Sequence, residues 1–159
     1  MIRSKIPLHQ RTRSVASLSD DYETPNELFL ELCKMHNIKP ILDASADINN
    51  TKCPYWYSKD DDALTKKWDL DTWVNPPHSL TKQFVLKADE QWLRNNINIL
   101  MIIPANSICA KYCNDIFENS HATYHRINGR PVFNVGGKPC PEPSRNSYFA
   151  IVWREVKKL

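Results

Sequence analysis

Trp73-Val74-Asn75-Pro76-Pro77-His78-Ser79 is the stretch on which the reading of this chain turns. Trp73 and the β-branched Val74 read as the end of a short buried strand. An amide side chain follows, then two prolines that fix the backbone and bring no N–H donor. Pro76 also drives Asn75 away from helical geometry and towards extended backbone. The product is a rigid bracket at the carboxyl end of a strand, which in an open α/β sheet is where ligands bind.

Asn75 offers a side-chain carbonyl oxygen, and Pro76 offers a main-chain carbonyl whose position is locked. Two acceptors at fixed spacing suit a flat –NH₂ group, which has two protons to donate. Accepting both leaves the nitrogen lone pair less committed to its ring, as attack on an electrophilic methyl group requires. The tetrapeptide resembles the Asp/Asn/Ser-Pro-Pro-aromatic motif of amino-group methyltransferases that use S-adenosylmethionine (SAM). A plain Pro-Pro turn after a strand reads the same way locally, so the flanking sequence decides.

Downstream of the bracket, Ser79 is placed to cap a helix running to about Asn95, with Leu80, Phe84, Ala88 and Trp92 recurring every four residues. Asn98 to Ile103 is a nearly continuous apolar run closed by Pro104, the pattern of a central buried strand. Residues 107 to 119 read as helix, and 122 to 127, 132 to 135 and 147 to 153 as further strands. Gly136 to Arg145 reads as an irregular surface loop.

Upstream, Thr24-Pro25-Asn26-Glu27 predicts a helix start, with Thr24 as cap, Pro25 in the first turn and Glu27 closing a capping box. Leu28, Phe29, Leu32 and Met35 form its apolar face. Free amides at such a helix start attract a carboxylate. Pro40 to Ala46 reads as a short strand ending in Asp43 and small residues, where a carboxylate can accept from an ammonium group or a ribose. Cys53 to Tyr57 is strand-like and aromatic. Of the three acids that follow, Asp62 is favoured over Asp61 to face a bound adenosine, because Leu64 beside it can pack on an adenine. Strands alternating with helices imply a small Rossmann-like α/β domain with a mostly parallel sheet, antiparallel closing strands and no glycine fingerprint.

Composition bounds the rest. The chain has 159 residues, 42% hydrophobic and 25% charged, as expected of one soluble globular domain. No apolar run approaches the about 20 residues of a membrane span, and the start lacks the apolar core of a signal peptide. Five scattered cysteines fit free thiols in a reducing cytoplasm. With three glycines there is no Gly-rich phosphate loop. Residues 1–20 read as a flexible basic arm carrying Arg3, Lys5, Arg11 and Arg13, and 21–159 as a single domain. A second basic cluster, Arg126, Arg130, Lys138 and Arg145, lies towards the C-terminus. The net charge is only +3, but this distribution suits a polyanion at the basic ends.

Tyr22-Glu23-Thr24-Pro25, Leu42-Asp43-Ala44, Asp62-Ala63-Leu64, the bracket, Ile103-Pro104-Ala105, Gly129-Arg130-Pro131-Val132-Phe133 and the last strand occur in series. In that order they resemble the phage-type DNA N-6-adenine methyltransferase (Dam) family over about residues 22 to 153. The resemblance implies SAM as cofactor, double-stranded DNA as partner, and methyl transfer to the amino group of a flipped adenine. It implies no metal and no membrane, and leaves the oligomeric state open. Residue by residue it assigns Asn75, Pro76, Pro77 and His78 to the catalytic motif. Thr24 and Pro25 fall near the methionine carboxylate, and Asp43, Ala44 and Asp62 around the cofactor. Arg126, Arg130 and Lys138 are the DNA contacts inferred with it. His78 departs from the family, which carries Tyr, Phe or Trp there to stack on the flipped base. The same bracket suits cytosine, an RNA base or a glutamine side chain, and a non-catalytic relative fits the His78 departure. A zinc module from Cys109, Cys113, His121 and His125 is disfavoured by the short separation between the pairs.

Overall fold

The computed structural model describes residues 19–159, so nearly all of the basic arm read from the sequence lies outside the described residues. In chain order the elements are α1 (Asn26–His36), β1 (Leu42–Asp43), β2 (Tyr55–Trp56), β3 (Thr72–Val74), α2 (Thr81–Asn95) and β4 (Ile99–Pro104). Then come α3 (Ala105–Ile108), α4 (Lys111–Asn119), β5 (Thr123–Arg126), β6 (Asn134–Val135), β7 (Lys138–Pro139) and β8 (Tyr148–Trp153). Short 3₁₀ turns at Ala63–Thr65 and His78–Leu80 precede β3 and α2.

Six strands form one sheet in the order β2-β1-β3-β4-β8-β5. The first four pair in parallel, while β8 is antiparallel to both β4 and β5. The chain steps outward from β1 to β2, then returns to lay β3 on the other flank of β1. Strand order therefore reverses between β1 and β3, and the crevice at their carboxyl ends is the topological switch point. Ala44 follows β1 and Asn75 follows β3, so both stand at that point. This is the Rossmann-like, mostly parallel α/β sheet expected.

Alternation of side chains along β4 divides the core between the two sheet faces. Ile99, Met101 and Ile103 pack with Phe84, Val85, Ala88 and Trp92 of α2 and with Ile116 of α4. Leu100 and Ile102 pack on the opposite face with Phe29 and Leu32 of α1. All six residues of β4 are buried, in keeping with its apolar run.

Several local expectations are corrected. Pro25, not Thr24, takes the cap position of α1, with no side-chain cap bond, so the capping box does not form. Backbone pairing of Glu23 with Asn134 holds the approach extended, and the Thr24 hydroxyl is buried without a partner. Met35 is 59% exposed; the buried stripe of α1 is Phe29, Leu32 and His36. Ser79 does not cap α2, because its hydroxyl donates to Asp20. Residues 107–119 form two helices rather than one. The closing strands β8 and β5 do pair antiparallel, as expected, but residues 132–135 contribute to the separate β6–β7 hairpin instead of the main sheet. Cys113 is fully buried, His121 rests on Trp92 and His125 rests on His36, and among the described residues no three His, Cys, Asp or Glu side chains are grouped to hold a metal ion. Among the described residues no helix is long and apolar enough to cross a membrane.

Candidate active site

A cleft of about 550 Å³ opens at the switch point. Its walls include Ala44 and Ala46 after β1, Asp62 and Leu64 from the 3₁₀ turn, and Asn75 and Pro77 from the bracket.

Asn75 is held by one bond. Its Nδ2 donates to the main-chain carbonyl of Tyr22 at 3.0 Å. That contact sets which way the amide faces, leaving Oδ1 with no donor among the described residues. Pro76 is buried behind the bracket, and Pro77 forms part of the cleft wall.

Asp62 adopts left-handed backbone, φ 54°, and its carboxylate accepts from the Leu64 amide at 3.3 Å. The carboxylate thus shapes the turn that brings Leu64 to the cleft. Asp61 is occupied elsewhere. It accepts from the Ser58 amide and hydroxyl, and these bonds hold its carboxyl below the ordinary range.

Asp43 lies beneath the cleft rather than in its wall. It is 2% exposed and accepts from the amides of Ser45 (3.2 Å) and Lys52 (2.9 Å). It therefore ties down the turn that presents Ala44. Burial pushes its carboxyl up from 3.8 to about 6, against the opposing pull of those amides and of the Lys52 charge. The folded state thus holds this proton more tightly than the unfolded chain. The associated stability is fully present below pH 3.8 and is lost as pH rises through about 6. In urea titrations between pH 4 and pH 7, the wild type is expected to lose about 2 kcal/mol relative to Asp43→Asn. The amide's missing acceptor adds an offset independent of pH, so the slope reports on the carboxyl. Parallel stability curves would disprove the shift.

Thr24 and Pro25 do not line the cleft, although Tyr22 and Glu23 just before them do. His78 is half-buried and faces a neighbouring cavity of about 410 Å³ with Tyr22, Ser79, Arg145 and Asn146. Its Nε2 is hydrogen-bonded to the hydroxyl of the buried Tyr148. Burial lowers the His78 pKa, with Asp20 pulling the other way. Tyr22 and Ser79 belong to both cavities and form the wall between them.

Residues 20 to 23 are the part of the site that sequence reasoning missed as working residues. Asp20 accepts from the amide (2.8 Å) and hydroxyl (2.7 Å) of Ser79. Tyr22 holds Asn75. Glu23 pairs with Asn134, and its carboxylate accepts from the amides of Gly136 and Gly137, each at 3.1 Å. One short strap thus joins the bracket to the β6–β7 hairpin. Tyr22 and Glu23 open the family-like series in the sequence, but that series gives them no role, and Asp20 carries no signal beyond its place ahead of the Thr-Pro helix start.

Arg126 ends β5 opposite Phe149. Arg130 and Lys138 are exposed on the connection from β5 to β8. Because β5 runs with the parallel strands, that connection leaves and re-enters the sheet at its carboxyl edge, the edge that carries the cleft. The connection that carries Arg130 and Lys138 thus starts and ends on the cleft side of the sheet, next to Arg126.

The sequence pattern of the DNA N-6-adenine-methyltransferase (Dam) family matches residues 11–158. The chain belongs to this family. A DNA N-6-adenine-methyltransferase of Escherichia phage T1 is 29% identical over 167 residues, covering 94% of this chain and 69% of its own. One from Haemophilus phage HP1 (strain HP1c1) is 31% identical over 138 residues, covering 86% and 79%. A solved structure, the METTL16 MTase domain, is 14% identical with a TM-score of 0.43, over 86% of this chain and 59% of that one. The switch-point cleft and the Asn-Pro-Pro bracket are accordingly read as parts of a methyltransferase of the Dam family.

Proposed function

We propose that this chain methylates the exocyclic amino group of adenine in double-stranded DNA, with SAM as methyl donor and the target base turned out of the duplex. The orientation of Asn75 carries the reading: its amide is fixed by the Tyr22 carbonyl so that Oδ1 is left to accept at the switch point.

The cleft suits the cofactor. Ala44 and Ala46 allow close approach to the backbone, while Leu64 and Phe84 give an apolar wall for an adenine ring. Asp47 and Asp62, set against Lys59 among the charged side chains of the wall, favour a cationic ligand. SAM, when bound, supplies an electrophilic methyl group on a sulfonium. Asp62 and Leu64 would hold its adenosine, and Ala44, placed by Asp43, its floor. Thr24 and Pro25 would act from behind, through the start of α1 and the unpartnered Thr24 hydroxyl. Asn75 Oδ1 and the Pro76 carbonyl would accept both protons of the target amino group and aim its nitrogen. Holding the reactants in line is the chief contribution of such a site. Arg126, Arg130 and Lys138 would bind phosphates beside it. Both named relatives are phage proteins, so the place of action would be the cytoplasm of a phage-infected host.

The test is transfer of labelled methyl from SAM to unmethylated duplex DNA, followed by nucleoside digestion and mass spectrometry. N6-methyladenine is the expected product. Label in cytosine, or in RNA or protein alone, would overturn the assignment.

A further inference from the structure

The motif position that normally stacks on the base is His78, and its ring is already engaged. Its Nε2 is bonded to the Tyr148 hydroxyl, and it does not line the cleft that holds Asn75. A base delivered to Asn75 needs another flat surface. Tyr22 is the aromatic residue common to both cavities. One face of its ring lies on Phe133, with centroids 4.8 Å apart and planes 11° from parallel. The His78 ring stands nearly perpendicular to it, at 86° with centroids 5.8 Å apart. What Tyr22 shows to the two cavities is the part of its ring that Phe133 and His78 leave uncovered. Phe133 is 1% exposed and packs in turn on Tyr148, so the ring is backed by a fixed aromatic stack. The Tyr22 carbonyl accepts from Asn75 Nδ2 at 3.0 Å, which keeps the Tyr22 ring and the amide in one rigid unit.

We infer that Tyr22, in place of His78, provides the aromatic face on which the target base rests beside Asn75. This rests on the flipped-adenine reading above. It adds a substrate-contacting residue outside the motif, and it accounts for a functional site that lacks the usual aromatic at residue 78.

The comparison of Tyr22→Phe with Tyr22→Leu isolates the ring. Both lose the hydroxyl, and both keep the main-chain carbonyl that orients Asn75. Once the methylated site is mapped, 2-aminopurine placed at the target adenine reports on its exit from the stack. For wild type and Tyr22→Phe we expect a fluorescence rise on binding and kcat/KM for DNA within about twofold of one another. For Tyr22→Leu we expect loss of the rise and a fall in kcat/KM of about 10- to 100-fold, the range of one base–aromatic stack. His78→Leu, made in parallel, should lose less than Tyr22→Leu. Equal behaviour of the Phe and Leu variants, or a greater loss in His78→Leu, would overturn the inference. Absence of any rise in wild type would instead sink the flipped-base reading, and this inference with it.

Discussion

Asn75→Ala is expected to lower methyl transfer about 100- to 1000-fold, the cost of removing one preorganised hydrogen-bonding group from a reacting centre. Two features of the structure make the effect large. The amide is the sole side-chain acceptor of the bracket, and its orientation is set in advance by the Tyr22 carbonyl at 3.0 Å. Alanine removes both the acceptor and the contact that aims it, while Pro76 and Pro77 keep the backbone in place. Folding should suffer little. One hydrogen bond to a partly buried carbonyl is lost, worth about 1 kcal/mol. SAM binding, measured by calorimetry, should survive, because Ala44, Asp62 and Leu64 are untouched. Asn75→Asp tests the two roles separately. It keeps an acceptor but sets a carboxylate oxygen against the Tyr22 carbonyl, so its rate should fall between wild type and alanine. An alanine variant as fast as wild type would remove the bracket from the reaction.

The parts of this molecule legible from sequence are those fixed by local chemistry. Asn75-Pro76-Pro77 specifies its own rigid turn whatever surrounds it, so its place at a strand end was readable. So were α2 and β4, whose periodic and continuous apolar runs are each long enough to be unambiguous. β1 and β2 are two residues each, and are strands only because they pair. The stripe of α1 went wrong by one position. Met35 and His36 fit the same helical period, and His36 is the one that is buried, its ring 4.6 Å from that of the distant His125. β8 was legible as buried, but nothing in Tyr-Phe-Ala-Ile-Val-Trp says that it inserts between β4 and β5. The strap failed for the same reason. Its bonds run from residue 20 to 79 and from 23 to 134, and no spacing rule spans such distances. Asp43 shows a different limit. A strand end at this residue is legible, but that its carboxylate is consumed by the amides of Ser45 and Lys52 is not.

Trp68→Ala is expected to have the largest effect on stability, about 3–5 kcal/mol, as for truncation of a large buried aromatic. The side chain is wholly buried. Its indole Nε1 donates to the Ala63 carbonyl at 3.0 Å, its amide donates to Gln91 Oε1 at 2.7 Å, and its carbonyl accepts from Asn95 Nδ2 at 2.6 Å. Trp68 therefore fastens the 3₁₀ turn at Ala63–Thr65 to the inner face of α2. Removing the indole opens a cavity and also takes one of two donors from the Ala63 carbonyl, which keeps the Lys66 amide at 3.2 Å. Against a whole-domain stability of about 5–15 kcal/mol, the loss should move the unfolding midpoint down by on the order of 10 °C. It should reach function as well, because the same turn carries Asp62 and Leu64 to the cleft. SAM affinity should weaken in Trp68→Ala even at temperatures where the variant is folded. Trp68→Phe separates the contributions, keeping most of the packing and losing only the bond to Ala63, so it should recover more than half of the stability. A variant that melts within a degree or two of wild type would show that α2 and the Ala63–Thr65 turn are held together by something other than this indole.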